Sequence, residues 1–259
     1  MPRIAETPSG MLNAIGLQNP GIKGFIRKYP KIWESWDVPA IVNISAESVA
    51  DYAMMARLLD DVPGVAALEV NISCPNISAG GYCFGWDPVM SADVTRAVRE
   101  ATTLPMVVKL SPGAVDVIEI AQAVEDAGAD AVSLINTLRA MAFEPRRGAR
   151  ARPWLGGGSG GLSGPAIRAV ALAQVAAVAR RVSVPIVGMG GVASGEHAWE
   201  LLGAGATLVA VGTQSFRDPA AGARVATELK SLQNTKKPST RVNMTEAQVE
   251  VHTNSVDSS

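Results

Sequence analysis

Short apolar runs alternate along the chain with longer segments in which apolar residues recur every three or four positions. The short runs are typical of buried strands, and the longer segments are typical of amphipathic helices. The predicted strands are 40–44, 68–72, 106–110, 131–135, 185–187 and 208–211. The predicted helices are 21–36 with an interruption at Pro30, 45–60 with Ser45 as its N-cap, 89–101, 115–127, 165–181, 195–202 and 219–229.

The regular order of these elements predicts an α/β fold with a parallel sheet. The strands are largely apolar, as expected when both faces of a sheet are covered. The pattern gives six βα units, whereas a closed TIM barrel has eight. We therefore expect a TIM (β/α)8-type barrel that is truncated at its N-terminus.

The two ends of the chain differ from this repeating part. Residues 1–19 are expected to form a loop, with no strand before the first helix. Residues 1–230 are expected to form one barrel domain. Residues 231–259 are polar and contain few core-forming residues, so we expect them to form a disordered tail.

Composition narrows the class of protein. The chain has 259 residues, 47% of them hydrophobic, and a formal net charge of −1. This charge gives no electrostatic reason to expect binding to nucleic acid or to an anionic membrane surface. No apolar run approaches the roughly 20 residues of a membrane helix, and Cys74 and Cys83 form neither a disulfide framework nor a zinc pattern. We therefore expect a cytoplasmic protein without a metal site.

Two reactive side chains lie at the ends of neighbouring predicted strands. Cys74 follows the strand 68–72, close to Asn71 and Ser73. Such a cysteine is either a small buried apolar residue or, at the carboxyl end of a barrel strand, a nucleophile or a base. Lys109 ends the next strand, where it either extends its amine to solvent or neutralises an anionic ligand.

Amides and glycines occupy the ends of the other predicted strands. Asn43, Asn71 and Asn136 each end a different strand, although asparagine is uncommon inside strands. Their amides can bind a ligand edge that is rich in N–H and C=O groups. Glycines follow the last two strands, at 188–191 and at Gly212, which predicts a phosphate-binding cradle.

Seven sequence segments between about residues 5 and 218 form a set that occurs in one order in a known family. They are ETPSGMLNAIGLQNPG, VNISCPN, VVKLSP, LINT, GGLSGPAI, PIVGMGGV and AVGT. With these segments the sequence resembles the class 1B dihydroorotate dehydrogenases, the catalytic subunits of the NAD-linked enzymes. The resemblance implies an FMN-containing (β/α)8 barrel that oxidises dihydroorotate to orotate in pyrimidine biosynthesis.

The resemblance also implies roles for individual residues. Cys74 corresponds to the base that takes the C5 proton of the substrate while the C6 hydride passes to the flavin. The implied substrate-binding residues are Asn13, Ala14, Ile15, Gly16, Leu17, Asn71, Asn136 and Thr137. The implied FMN-binding residues are Asn43, Asn71, Lys109, Ile135, Gly164, Gly190, Gly191, Gly212 and Thr213, and the last four surround the phosphate.

Partners are implied by the same resemblance. It predicts a homodimer and a separate electron-transfer subunit that carries FAD and an iron–sulfur cluster and delivers electrons to NAD. This chain shows no Rossmann fingerprint and no cysteine cluster of its own. The family has two further strands before the ETPSG segment, which supports the expectation of a truncated barrel.

Three interpretations remain open from the sequence. The first is the flavoenzyme described above. The second is another FMN barrel that acts on a related pyrimidine, such as a dihydropyrimidine dehydrogenase domain. The third is an inactive fragment that at most binds a phosphate ligand or a partner subunit, and a purely structural role has the least support.

Overall fold

The computed structural model describes residues 2–33, 35–73, 75–76, 82–144 and 151–235. The strands in these ranges are β1 (Ile4–Thr7), β2 (Gly10–Asn13), β3 (Ala40–Ile44), β4 (Val65–Asn71), β5 (Pro75–Asn76), β6 (Tyr82–Cys83), β7 (Met106–Lys109), β8 (Ala131–Leu134), β9 (Leu138–Ala140), β10 (Phe143–Glu144), β11 (Arg152–Pro153), β12 (Gly160–Ser163), β13 (Ile186–Met189) and β14 (Leu208–Ala210). The helices are α1 (Gly21–Lys28), α2 (Pro30–Trp33), α3 (Val49–Asp60), α4 (Pro88–Ala101), α5 (Val117–Asp126), α6 (Arg168–Val178), α7 (Gly195–Gly203) and α8 (Ala221–Thr235). Short 3₁₀ helices lie at Phe84–Trp86, Pro165–Ile167 and Thr213–Phe216.

Six of the described strands form one parallel sheet in the order β14-β13-β8-β7-β4-β3. Each strand pairs with the strand of the neighbouring βα unit, and consecutive helices from α3 to α8 pack against one another on the outer face. The sheet is curled into a half-barrel. The predicted α/β fold with six βα units is therefore confirmed, and it is consistent with a partial TIM barrel.

Strand β4 shows how the sheet separates its two faces. Leu68 and Val70 are fully buried in the main core, against the helices. Glu69 and Asn71 alternate with them and are only partly buried, because successive side chains of a strand point to opposite faces. Burying an aliphatic side chain of this size contributes about 1.5–3 kcal/mol. The apolar positions therefore hold the sheet on its helices and direct the polar positions towards the inner face.

Helix α3 begins later than predicted, so the assignment of Ser45 as its N-cap is wrong. Ser48 is the N-cap: its hydroxyl accepts a hydrogen bond from the Asp51 N–H at 3.1 Å and donates one to the Asp51 carboxylate at 2.6 Å. An N-cap is favoured when the side chain of the third residue after it can accept a second hydrogen bond from the capping residue. Ser48 has Asp51 at that position. The predicted interruption at Pro30 separates α1 from α2.

The prediction that residues 1–19 form a loop is also wrong. Strands β1 and β2 form an antiparallel hairpin in which Ile4 lies opposite Asn13. Strand β2 also pairs with β12, where Asn13 lies opposite Gly161, and a four-stranded sheet β1-β2-β12-β9 results. Its small apolar cluster consists of Ala5, Leu12 and Leu155. The hairpin escapes sequence analysis because its strands are short and one of them pairs with a segment that is distant in the chain.

Between the predicted strand 131–135 and the predicted helix 165–181, the sequence pattern indicates a long loop rich in glycine and arginine, but the structure has short strands there. Strands β9 and β12 pair with each other, with Leu138 opposite Leu162. Strands β10 and β11 form a separate two-stranded pair. Glycine and arginine dominate this segment, so its local sequence carries little strand signal, and the pairing depends on contacts with the hairpin.

Helix α8 continues to Thr235, past the predicted end of the domain at residue 230. The first five residues of the predicted tail are therefore helical, and residues 236–259 lie outside the described ranges. In the part of the chain that the structure describes, no helix is long and apolar enough to cross a membrane.

Candidate active site

The carboxyl ends of the parallel strands form a cleft of about 310 Å³. This is the end of the sheet at which barrel enzymes place their active sites. The predicted ligand-binding residues that line it are Lys109, Ile135, Asn136, Thr137, Gly164, Gly190, Gly191, Gly212 and Thr213. The structure thus brings together side chains and glycines from five different strand ends.

Hydrogen-bonded amides join the end of β4 to the segment after β8. The Asn136 side-chain amide donates to Asn71 Oδ1 at 3.3 Å, and Asn136 Oδ1 accepts from the Thr137 N–H at 2.7 Å. Asn71 Oδ1 also accepts from the Ser73 N–H at 3.2 Å. The Tyr52 hydroxyl donates to the Asn71 carbonyl at 2.7 Å. These contacts fix which end of each amide is a donor, so the two amides are oriented before a ligand binds.

The end of β13 passes close to α6 at two glycines. Gly190 and Gly191 have φ angles of +126° and +74°, in the left-handed region that favours glycine. A Cβ atom on Gly191 would lie 2.8 Å from Arg168 Cβ and 2.9 Å from the Gly164 carbonyl oxygen. Only glycine therefore fits against α6 in this turn. Both glycines line the cleft, where successive backbone N–H groups can bind a ligand oxyanion.

Helix α8 supports the segment that follows these glycines. The Glu228 carboxylate accepts from the Gly195 N–H at 2.7 Å and from Arg224 Nη1 at 2.8 Å. Arg224 also donates to the Ala193 carbonyl at 3.2 Å and to Asp218 at 3.0 Å. Hydrogen bonds from Gly195 and Arg224 hold the pKa of Glu228 below its usual range. The network therefore ties α8 to the start of α7 through the ionised form of Glu228.

We expect Glu228→Gln to remove part of the acid sensitivity of the fold. The pKa of Glu228 is lowered in the folded chain, so its carboxylate stabilises the fold above the ordinary glutamate pKa of about 4.3. This stabilisation is lost as the pH falls through the lowered folded-state pKa. At neutral pH, the melting temperature of Glu228→Gln should be lower than that of the unaltered chain. On acidification, the melting temperature of the unaltered chain should fall more steeply than that of the variant.

Glu100→Gln is the matched control for this experiment, because Glu100 is an exposed glutamate on α4. Its melting temperature should follow that of the unaltered chain at every pH. An identical pH dependence for Glu228→Gln and the unaltered chain would contradict the role assigned to the network.

Glu69 is a residue of the cleft that sequence reasoning missed. Its carboxylate accepts from the Asn43 amide at 2.5 Å and from the Ser133 hydroxyl at 2.7 Å, and Lys109 Nζ lies 3.4 Å away. Asn43 itself is not among the residues that line the cleft, but Glu69 holds it beside the cleft. A signal was available, because Glu69 is a charged residue inside an apolar run and lies two positions before Asn71, on the same face.

The predicted substrate loop is only partly close to the cleft. Asn13 donates from its side chain to the Gly161 carbonyl at 3.4 Å, and Gly161 packs against the Thr137 side chain. Leu17 is exposed and lines a neighbouring cleft of about 170 Å³. None of the predicted loop residues Asn13, Ala14, Ile15, Gly16 and Leu17 lines the main cleft. Asn71 does not line it either, and is joined to it by the hydrogen bond from Asn136. The contact of these residues with substrate stays a prediction.

Cys74, the predicted base, lies outside the described residues. The residue before it is described: the Ser73 hydroxyl donates to the Lys109 carbonyl at 3.0 Å and so ties the end of β4 to the end of β7. The second cysteine, Cys83, is buried, and its thiol donates to the Ile72 carbonyl at 3.1 Å. Cys83 therefore has a packing role.

The donor set of the cleft fits a flavin nucleotide. Gly190 and Gly191 line the cleft with backbone and no side chain, which suits a phosphate. Lys109 and Asn136 supply polar groups, and Ile135 supplies an apolar surface for a ring. Among the described residues, no group of three or more His, Cys, Asp or Glu side chains could hold a metal ion.

Comparison with known proteins adds to this geometry. A family model described as "Dihydroorotate dehydrogenase" matches residues 1–232. Three similar proteins, each named "Dihydroorotate dehydrogenase B (NAD(+)), catalytic subunit", come from different bacteria. The chain is 52% identical to the protein of Desulforudis audaxviator over 228 residues, which cover 88% of this chain and 73% of the relative.

The other two relatives show the same level of similarity. The chain is 51% identical to the protein of Geobacter metallireducens, over 88% of this chain and 74% of the relative. It is 54% identical to the protein of Trichlorobacter lovleyi, over 87% of this chain and 73% of the relative. The family match covers the half-barrel and every described residue of the cleft. The chain therefore belongs to the dihydroorotate dehydrogenase family.

Proposed function

We propose that this chain is the FMN-binding catalytic subunit of an enzyme that oxidises dihydroorotate to orotate in pyrimidine biosynthesis. One observation carries the proposal: a glycine turn, Lys109 and Asn136 line one cleft, and Asn71 is hydrogen-bonded to Asn136 at its edge. Support comes from the relatives, which are about half identical to the chain and are named for this activity.

The reaction removes a proton and a hydride from neighbouring carbons of dihydroorotate. Bound FMN supplies the two-electron acceptor for the hydride on C6. Cys74, as a thiolate, takes the proton from C5 and becomes a thiol while the C5–C6 bond becomes a double bond. The substrate thus loses two hydrogens. One leaves C6 as a hydride with two electrons, and the other leaves C5 as a proton that neutralises the thiolate sulfur.

Binding and orientation belong to the residues around the cleft. Asn71 and Asn136 bind the N–H and C=O groups along the pyrimidine edge, because an amide can both donate and accept. Lys109 supplies positive charge to the cleft. The remaining proposed substrate contacts are Thr137 and residues 13–17, and the proposed FMN contacts are Asn43, Asn71, Lys109, Ile135, Gly164, Gly190, Gly191, Gly212 and Thr213.

We further propose that the chain works with a second subunit. The relatives are each named as a catalytic subunit of an NAD(+) enzyme, which supports an electron-transfer partner. By the resemblance of the sequence, that partner carries FAD and an iron–sulfur cluster and delivers electrons to NAD, and the catalytic subunits pair as a homodimer in the cytoplasm.

An anaerobic titration tests the proposed function. The chain is purified, FMN is added, and the visible absorbance of the flavin is followed after addition of dihydroorotate. We expect the flavin absorbance to bleach and one orotate to form for each FMN that is reduced. Dihydrouracil, which lacks the carboxylate, serves as the control substrate: bleaching with dihydrouracil instead would indicate a related pyrimidine reductase. Binding of FMN without bleaching by dihydroorotate would overturn the proposal.

A further inference from the structure

Glu69 is a mostly buried carboxylate at the centre of the polar groups in the cleft. Its side chain is 16% exposed, and it lies on β4 between β3 and β7. Hydrogen bonds reach it from Asn43 Nδ2 at 2.5 Å and from Ser133 Oγ at 2.7 Å. Burial of a carboxylate costs several kcal/mol unless partners compensate for the lost water. Donors from β3 and β8 therefore form a site built around this one side chain.

The Lys109 ammonium is the cationic partner of this carboxylate. Lys109 Nζ lies 3.4 Å from Glu69 Oε2, and its side chain is 20% exposed. An ammonium has three donors, and a contact of this length leaves it able to donate to a second group. Both residues line the same cleft. Glu69 thus restrains the lysine and offsets its charge without taking it out of the cleft.

We propose that Glu69 is a positioning residue that holds Lys109 and Asn43 beside the cofactor and sets the net charge of this part of the site. The inference rests on the proposed function for the identity of the ligand. Oxidised and reduced flavin differ in charge, so a fixed carboxylate in the cleft that would hold the flavin influences which form is favoured. A residue with only a packing role would not do so.

The first test uses the chain without FMN. Acetic anhydride at low concentration labels lysines, and mass spectrometry gives the labelling rate of Lys109 relative to Lys230, which is exposed on α8. We expect Glu69→Ala to raise the relative rate for Lys109 several-fold, because the lysine loses its restraint. Glu100→Ala, at the exposed site on α4, should leave the ratio unchanged. An unchanged ratio in Glu69→Ala would overturn the claim that Glu69 holds the lysine.

The second test measures FMN bound to the same variants. We expect Glu69→Ala to weaken FMN binding about tenfold, as loss of about 1.4 kcal/mol would do. Glu69→Gln keeps the size of the side chain and removes its charge, so it separates charge from folding defects. Its bound FMN should show a more positive midpoint potential, because removal of a negative charge from the cleft favours the reduced, more negative form.

A double-mutant cycle with Lys109→Met links the two residues. In the Glu69→Ala background, Lys109→Met should weaken FMN binding less than in the unaltered background, because the lysine is already misplaced. FMN affinity and midpoint potential that match Glu100→Ala in both Glu69 variants would overturn this inference while the proposed function stands. Failure of the unaltered chain to bind FMN would overturn the proposed function and the cofactor part of this inference. The labelling rate of Lys109 would then still show whether Glu69 holds Lys109.

Discussion

Replacing Cys74 with serine is expected to slow the bleaching of bound FMN by dihydroorotate by about 10²- to 10⁴-fold, the usual contribution of a positioned base. A thiolate is a competent base near neutral pH, whereas a serine hydroxyl is far less acidic and is weak without an activating partner. FMN affinity should change little, because Cys74 is not one of the proposed FMN contacts. Stopped-flow absorbance under anaerobic conditions measures the rate, and a fluorescence titration measures the affinity.

Cys83→Ser is the matched control for this substitution. Cys83 is nine positions further along the chain, is buried, and donates to the Ile72 carbonyl. A serine hydroxyl can keep that hydrogen bond, so the bleaching rate should stay close to that of the unaltered chain. If Cys74→Ser bleaches as fast as Cys83→Ser, Cys74 is not the base.

The second large effect is expected at the phosphate turn. Gly191→Ala places a Cβ within 2.9 Å of the Gly164 carbonyl oxygen and forces a left-handed residue at a φ of +74°. Left-handed strain costs of order 1–3 kcal/mol, which corresponds to a weakening of FMN binding by about 5- to 150-fold if it acts on the bound state. We expect this loss of affinity, with a lower melting temperature because the turn also packs on α6.

Gly222→Ala is the control for the phosphate turn. Gly222 lies in α8 with nothing within 4 Å of the position that its Cβ would take, so alanine should leave FMN affinity unchanged and favour the helix. Fluorescence titration and thermal melting are measured on both variants. A Gly191→Ala chain with unaltered affinity and melting temperature would exclude this turn from phosphate binding.

The repeating part of the fold was predictable, and the antiparallel sheet was not. Six apolar runs with regular helices between them predict six βα units, because each strand pairs with its sequence neighbour. Strands β2 and β12 have no such local signal: their pairing of Asn13 with Gly161 depends on segments distant in the chain. The N-cap of α3 was misplaced because Ser45 and Ser48 are both good caps, and only Asp51 distinguishes them.

The site was predictable where a residue type is unusual for its position. Asparagines and glycines at strand ends point to a ligand, and the structure brings Asn136, Gly190 and Gly191 to one cleft. Glu69 was missed because it was taken as part of an apolar run, and its hydrogen bonds to other strands appear only after folding. Sequence therefore indicates the residues that contact ligands better than it indicates the residue that holds them in place.

The pairing of β2 with β12 also bears on the order in which the molecule assembles. The parallel strands pair with neighbours in sequence, whereas this antiparallel pair closes a very long loop. Loop-closure entropy rises with length, and local contacts form sooner than distant ones. We therefore expect the small sheet, which contributes Ser163 to the cleft, to form last and to open first, and amide hydrogen exchange tests the order of opening. A ligand could then enter or leave on that side while the parallel strands stay folded.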